Sequence, residues 1–251
     1  MIRNWTKRAL HKLGYSVTKT RGRYAADGFS TVHQPRFLQD PRFGPAYARG
    51  IEASLGVDPD FEWRVHTALW AASRALQTGG DFIECGVNAG FISSAIMHYL
   101  RWESVERNFY LVDTFSGPDL DQYSEAEVGA GRVQVAQTAL SSGSYVVDLD
   151  RVRANYRRWP RAILVPGTVP QVLASIPAER VAFVHIDLNC AAPEAAALEF
   201  FWSRLSQGGL ILLDDYAYAN CEHQGDLLDQ TAHRLGTTIM ALPTGQGLLL
   251  K

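Results

Sequence analysis

The sequence predicts an α/β domain built on a mostly parallel sheet with helices on both faces. Three observations carry that expectation. Strand-like and helix-period segments alternate from about residue 60 onward. The strand-like runs, such as "AFVHI" and "LILL", are continuously apolar, as strands buried on both faces are. Acids recur where those runs end, at Glu84, Asp113, Asp187, Asp214 and Asp215. In open parallel sheets ligands bind at the carboxyl ends of the strands.

The elements follow in order. The leading stretch "MIRNWTKRALHKLGYSVTKTRGR" carries Arg3, Lys7, Arg8, Lys12, Lys19, Arg21 and Arg23, with no acid before Asp27. Trp5, Leu10 and Leu13 would form one side of a short basic helix. It lacks an uninterrupted apolar region and a small-residue cleavage site, so it does not read as a signal peptide. Such a segment suits peripheral contact with a membrane surface, a solvated arm or a swapped segment. Residues 22–60, rich in Pro, Gly and aromatics, read as loops with one short helix. Residues 1–59 are therefore expected to be an N-terminal extension, and 60–251 the main domain.

"DFEWRVHTALWAASRAL" has an acidic start and apolar residues at helical spacing. A strand follows at Phe82–Cys85, a helix at about Phe91–Arg101 and a strand ending near Asp113. "SEAEVGAGRVQVAQTALSSGS" is small and polar and reads as a loop or lid, together with Tyr123. "DLDRVRANYRRW" is a helix starting at Asp148 or Asp150, "RAILVPG" a strand and "TVPQVLASI" a short helix. "VAFVHIDLN" is a strand, "PEAAALEFFWSRL" a helix, "GGLILLDDY" a strand and "CEHQGDLLDQTAHRLG" a helix. "TTIMALP" and "QGLLLK" are expected to close the sheet as an antiparallel pair.

Composition sets the outer limits. The 251 residues are 47% hydrophobic, which suits a globular core and excludes a disordered chain. A net charge of −2 gives no global field for nucleic acid. Cys85, Cys190 and Cys221 lack disulfide-framework or metal spacing and fit a reducing, cytoplasmic setting. No apolar run reaches the ~18 residues of a membrane span. A homo-oligomer is expected.

The turn "ECGVNAG" bears the first chemistry. Glu84, Gly86 and Gly90 form an acid-x-Gly-x-x-x-Gly pattern leading from strand to helix. Glycine at 86 would let a ligand approach the backbone. The pattern is neither the dinucleotide fingerprint nor a P-loop. An acid there would repel a pyrophosphate but pair with an ammonium. Asp113, at the end of the next strand, is placed to accept from two ribose hydroxyls. A ligand with a cationic amino-acid end and a ribose end fits both.

"GDFIECGVNAG", "YLVDTFSG", "VPGTVPQVL", "HIDLN" and "GGLILLDDY", in this order, resemble the class I S-adenosylmethionine-dependent methyltransferases of the macrocin O-methyltransferase (TylF-like) type. The resemblance covers about Asp60 to the C-terminus. It implies a Rossmann-like methyltransferase fold with a seven-stranded sheet and an antiparallel C-terminal strand. It also implies O-methylation of a hydroxyl on a sugar or glycan-like acceptor, the partner being a small molecule or a glycan. Glu84, Gly86, Asn88 and Gly90 would then surround the methionine end of S-adenosylmethionine. Asp113 and Thr114 would hold the ribose, and Gly167 and Thr168 would lie near the adenine.

Asp187 ends one strand and Asp214–Asp215 the next, so three carboxylates can converge. They repel one another unless protonated or neutralised. Such oxygen ligands suit Mg²⁺. By resemblance the metal grips two adjacent sugar hydroxyls, and Asp187 would take the proton of the attacking one. The family shows Asp-Gly-Asp where this chain has Asp187-Leu188-Asn189, leaving Asn189 as a neutral oxygen ligand at most. His185, on the same strand face as Asp187, reads as a structural histidine, and so does His66; His223 follows the metal strand. Two other readings compete with Mg²⁺-dependent sugar methylation. One is metal-independent methylation of a phenol or acid, and the other is cofactor binding without catalysis.

Overall fold

The computed structural model describes residues 4–13 and 24–251. Helix α1 (Asn4–Lys12) confirms the short basic helix, with Leu13 exposed just beyond it. Arg3, Lys19, Arg21 and Arg23 lie outside the described residues. A hairpin follows, β1 (Tyr24–Ala26) and β2 (Phe29–Thr31), then α2 (Phe43–Ala53) and α3 (Glu62–Ala75). The rest alternates: β3 (Asp81–Cys85), α4 (Phe91–Leu100), β4 (Phe109–Asp113), α5 (Glu125–Gly129), α6 (Arg132–Ser141), α7 (Leu149–Tyr156), β5 (Ala162–Pro166), β6 (Val181–Ile186), α8 (Ala191–Arg204), β7 (Leu205–Leu213), α9 (Glu222–Arg234), β8 (Met240–Ala241) and β9 (Gly247–Leu250).

The main sheet has seven strands in the order β5-β4-β3-β6-β7-β9-β8. Neighbours from β5 to β7 pair in parallel, while β9 runs antiparallel to both β7 and β8. The alternating architecture and the antiparallel close therefore match the expectation. The order reverses between β3 and β6, the place where such sheets open a ligand crevice.

Strand alternation divides the core in two. Phe82, Phe109, Phe183 and Leu212 pack with α2, α3, α4 and α7 on one face. Ile83, Val112, Val184, Ile186 and Ile211 pack with α8 and α9 on the other. Phe37, Phe43, Ala46 and Tyr47, from the leading segment, belong to the first of these cores.

Two local expectations are corrected. Residues 125–129 and 132–141 are helical, as α5 and α6, in the stretch expected to be an irregular loop or lid. Ser124 accepts from the Glu127 N–H while the Glu127 carboxylate accepts from the Ser124 N–H, a complete capping box that starts α5. Gly131, at φ 80°, makes the break before α6. Conversely, "TVPQVLASI" yields a turn and a single 3₁₀ turn at Leu173–Ser175, because Ile176, held extended before Pro177, stops the helix. No helix among the described residues is long and apolar enough to cross a membrane.

Candidate active site

The turn after β3 is fixed by the protein's own backbone as much as by any ligand. Gly86 sits at φ 87°, and a Cβ there would collide with the Asp187 carbonyl where β6 ends. Gly90 sits at φ 94°, and a Cβ there would collide with the Tyr156 hydroxyl. Gly90 lines neither of the clefts described below; its glycine requirement is met by α7.

Asp113 joins the turn to the end of β4. Its Oδ2 accepts from the Val87 N–H (2.7 Å) and the Asn88 N–H (2.9 Å), and its Oδ1 from the Phe115 N–H (2.7 Å). The Thr114 hydroxyl donates to the Gly117 carbonyl at 2.5 Å. The carboxylate expected to face a ribose thus first organises two loops. Asn88 is also engaged: its amide bonds the backbone at Ser144 and Val146.

Two clefts open at the carboxyl edge of the sheet. The first, about 820 Å³, is lined by Asp113, Thr114, Gly167 and Thr168, together with Tyr123 and Tyr145. The second, about 1030 Å³, has Glu84, His185, Asp187 and Asp214 among its polar walls and Phe61 and Phe91 among its apolar ones. Gly86, Asn88, Val146 and Asp187 border both. Of the expected cofactor residues, only Gly90 stands apart from the two clefts. Glu84 Oε2 is buried without a hydrogen-bond partner, which fits the ammonium of an amino-acid end.

Asp187, Asp214 and Asp215 come together, each offering an oxygen within 4.8 Å of the others. Burial and mutual repulsion raise Asp187 well above the carboxylate range and push Asp215 up to about 6. Asp214 is held low, as the Arg64 guanidinium and His185 outweigh its burial. Arg64 Nη1 lies 2.5 Å from Asp214 Oδ2 and 3.7 Å from Asp215 Oδ1, and its Nε lies 3.1 Å from Asp27 Oδ2. Gln246 donates to Asp214 Oδ1 at 2.8 Å. The donor set fits a hard divalent cation: oxygen ligands only, with two carboxylates still under-compensated. Asn189 is not aimed at the cluster as an oxygen ligand; its amide donates to Asp187 Oδ1 at 2.8 Å.

His185, expected to be structural, is buried between two acids. Strand register sets it beside Glu84, with Nδ1 at 3.0 Å from Glu84 Oε1 and Nε2 at 3.5 Å from Asp214 Oδ1. The two acids outweigh burial and raise it to about 10, so it is an imidazolium near neutral pH. His66 stacks on Phe37 at 4.4 Å, and His223 is exposed on α9.

Three supports escaped the sequence reading. Arg64 had a signal, since it shares a helical stripe with the buried Ala68, Ala71 and Ala75. Glu194 Oε1 accepts from the Leu188 and Asn189 N–H groups and from Gln224, holding the loop after β6. Glu127 accepts from the Ala191 N–H at 2.9 Å and so ties the lid to α8.

Residues 67–239 match the macrocin O-methyltransferase (TylF) family. The chain is 30% identical over 148 residues to the 8-demethyl-8-(2,3-dimethoxy-alpha-L-rhamnosyl)-tetracenomycin-C 4'-O-methyltransferase of Streptomyces olivaceus, covering 57% of this chain and 55% of that one. The match thus spans about half the length of that relative. It is 24% identical over 202 residues to the mycinamicin III 3''-O-methyltransferase of Micromonospora griseorubida, covering 76% of this chain and 75% of that one. The solved O-methyltransferase NovP shares the fold, with a TM-score of 0.64 at 17% identity over 81% of this chain and 88% of that one. The chain therefore belongs to the macrocin O-methyltransferase (TylF) family of S-adenosylmethionine-dependent methyltransferases.

Proposed function

We propose that the protein methylates a hydroxyl of a sugar unit on a small-molecule acceptor, using S-adenosylmethionine and a Mg²⁺ ion. The observation that carries this reading is the convergence of Asp187, Asp214 and Asp215 beside a cleft walled by the glycine turn. The Streptomyces olivaceus relative, named for a rhamnosyl-bearing compound, suggests the acceptor class.

Glu84 and Gly86 would hold the methionine end of the cofactor, Asp113 and Thr114 the ribose, and Gly167 and Thr168 the adenine side, while the Asn88 amide, expected at the methionine end, is taken up by the backbone at Ser144 and Val146. Bound there, S-adenosylmethionine supplies an electrophilic methyl group. Mg²⁺ at the three aspartates would lower the pKa of an acceptor hydroxyl. Asp187, its orientation fixed by Asn189, takes the acceptor proton at a carboxylate oxygen. The protein's main contribution beyond this is alignment of nucleophile and methyl group.

One feature favours metal-independent transfer instead: Arg64 already places a fixed cation against Asp214 and Asp215. Turnover in EDTA, followed by Mg²⁺ add-back, separates the two. The metal reading expects loss and recovery, with Asp215→Asn partly rescued by excess Mg²⁺. Full activity in EDTA rejects it and leaves Asp187 as a positioning acid.

A further inference from the structure

A strap at residues 142–147 crosses between the two clefts, and one side chain holds it on both sides of Tyr145. Asn88 Nδ2 donates to the Ser144 carbonyl at 2.9 Å, and the Val146 N–H donates to Asn88 Oδ1 at 2.8 Å. Asn88 is itself fixed, at φ 50° with its N–H on Asp113. Ser142, Gly143 and Ser144 line the larger cleft, whereas Tyr145 lines the smaller one with Asp113 and Gly167. Its hydroxyl, like that of Tyr123 in the same lining, makes no hydrogen bond among the described residues. The strap thus delivers a half-buried aromatic ring with an unpaired donor to the place where the cofactor cleft meets the acids.

We propose that Tyr145 is a cofactor-binding residue of the transfer site, and that Asn88 is its positioning residue. The ring packs on the bound donor and excludes water at the junction of the clefts. Asn88 acts through the strap. This inference rests on the methyl-transfer reading.

The test is calorimetric titration of the full chain with S-adenosylhomocysteine. Tyr145→Ala should weaken binding at least about tenfold, equivalent to ~1.4 kcal/mol. Tyr145→Phe, which keeps the ring, should recover most of that loss. Asn88→Ala should also weaken binding, and Asn88→Ala/Tyr145→Ala should bind no worse than Tyr145→Ala alone. Wild-type affinity in a folded Tyr145→Ala protein overturns the inference, and additive losses in the double variant overturn the role of Asn88. Failure of the folded wild-type chain to bind S-adenosylhomocysteine would instead remove the methyl-transfer reading, and this inference with it.

Discussion

Replacing Arg64 with methionine removes the cation that three acids share while keeping most of the apolar stem. Its side chain is 7% exposed, so the charges left behind have little access to water. Breaking a buried pair by removing one partner costs about 3–5 kcal/mol. The structure argues for the lower end. Asp214 retains Gln246 at 2.8 Å and His185 at 3.5 Å, and Asp27 retains the Tyr218 hydroxyl at 3.4 Å. A loss of about 3 kcal/mol in a chain of this size lowers the melting temperature by roughly 6–12 °C. Differential scanning calorimetry reads it directly. Arg64→Lys should fall between, since it keeps the charge but loses the fork. The decisive comparison is Arg64→Met/Asp214→Asn. Neutralising the stranded acid should make the double variant lose less than the sum of the singles. A single-variant shift within about 2 °C, or strict additivity, would refute the hub.

Two other expectations concern the supports of the site. Asp113→Ala strands three backbone N–H groups that now meet a carboxylate, so it should lower both the melting temperature and the affinity for S-adenosylhomocysteine; calorimetry that finds binding lost with stability unchanged would assign Asp113 to the ligand alone. Burial and the nearby Asp215 push the Glu194 carboxyl up to about 8, whereas in the unfolded chain it titrates near ~4.3. Between those values the folded protein keeps a proton the unfolded chain has released, so stability falls as pH rises through that window. Glu194→Gln removes that dependence, and thermal melts from pH 5 to about 8.5 should show the variant gaining on wild type; a constant difference would rule the linkage out.

Much of this architecture is legible because period and burial speak locally. Continuous apolar runs identified the parallel strands, and the acids at their ends located the clefts. The lid shows a local signal outweighed by composition. Ser124-x-x-Glu127 is a capping-box spelling, yet the glycines and small polar residues around it suggest a loop. The Asp113 carboxylate shows a different limit. Its place at the end of β4 followed from sequence, but whether its oxygens face a ligand or the N–H groups of an adjacent turn depends on how two loops fold back.

The least legible feature is the buried polar chain Glu84–His185–Asp214–Arg64–Asp27. Each member is an ordinary residue within its own segment, and none has its partner nearby in sequence. A buried charge is tolerable only when partnered, so the meaning of Arg64 on an alanine stripe exists only once β6, β7 and the hairpin surround it. The same enclosure explains why the chain lies at the site. Asp214 must remain ionised where Asp187 and Asp215 are pushed towards neutrality, and Arg64 and His185 together supply the opposing charge. The acid cluster is therefore split into one carboxylate with fixed charge and two whose charge responds to what binds. On the proposed function, that division would let the cleft take up a cation and a proton at the same place.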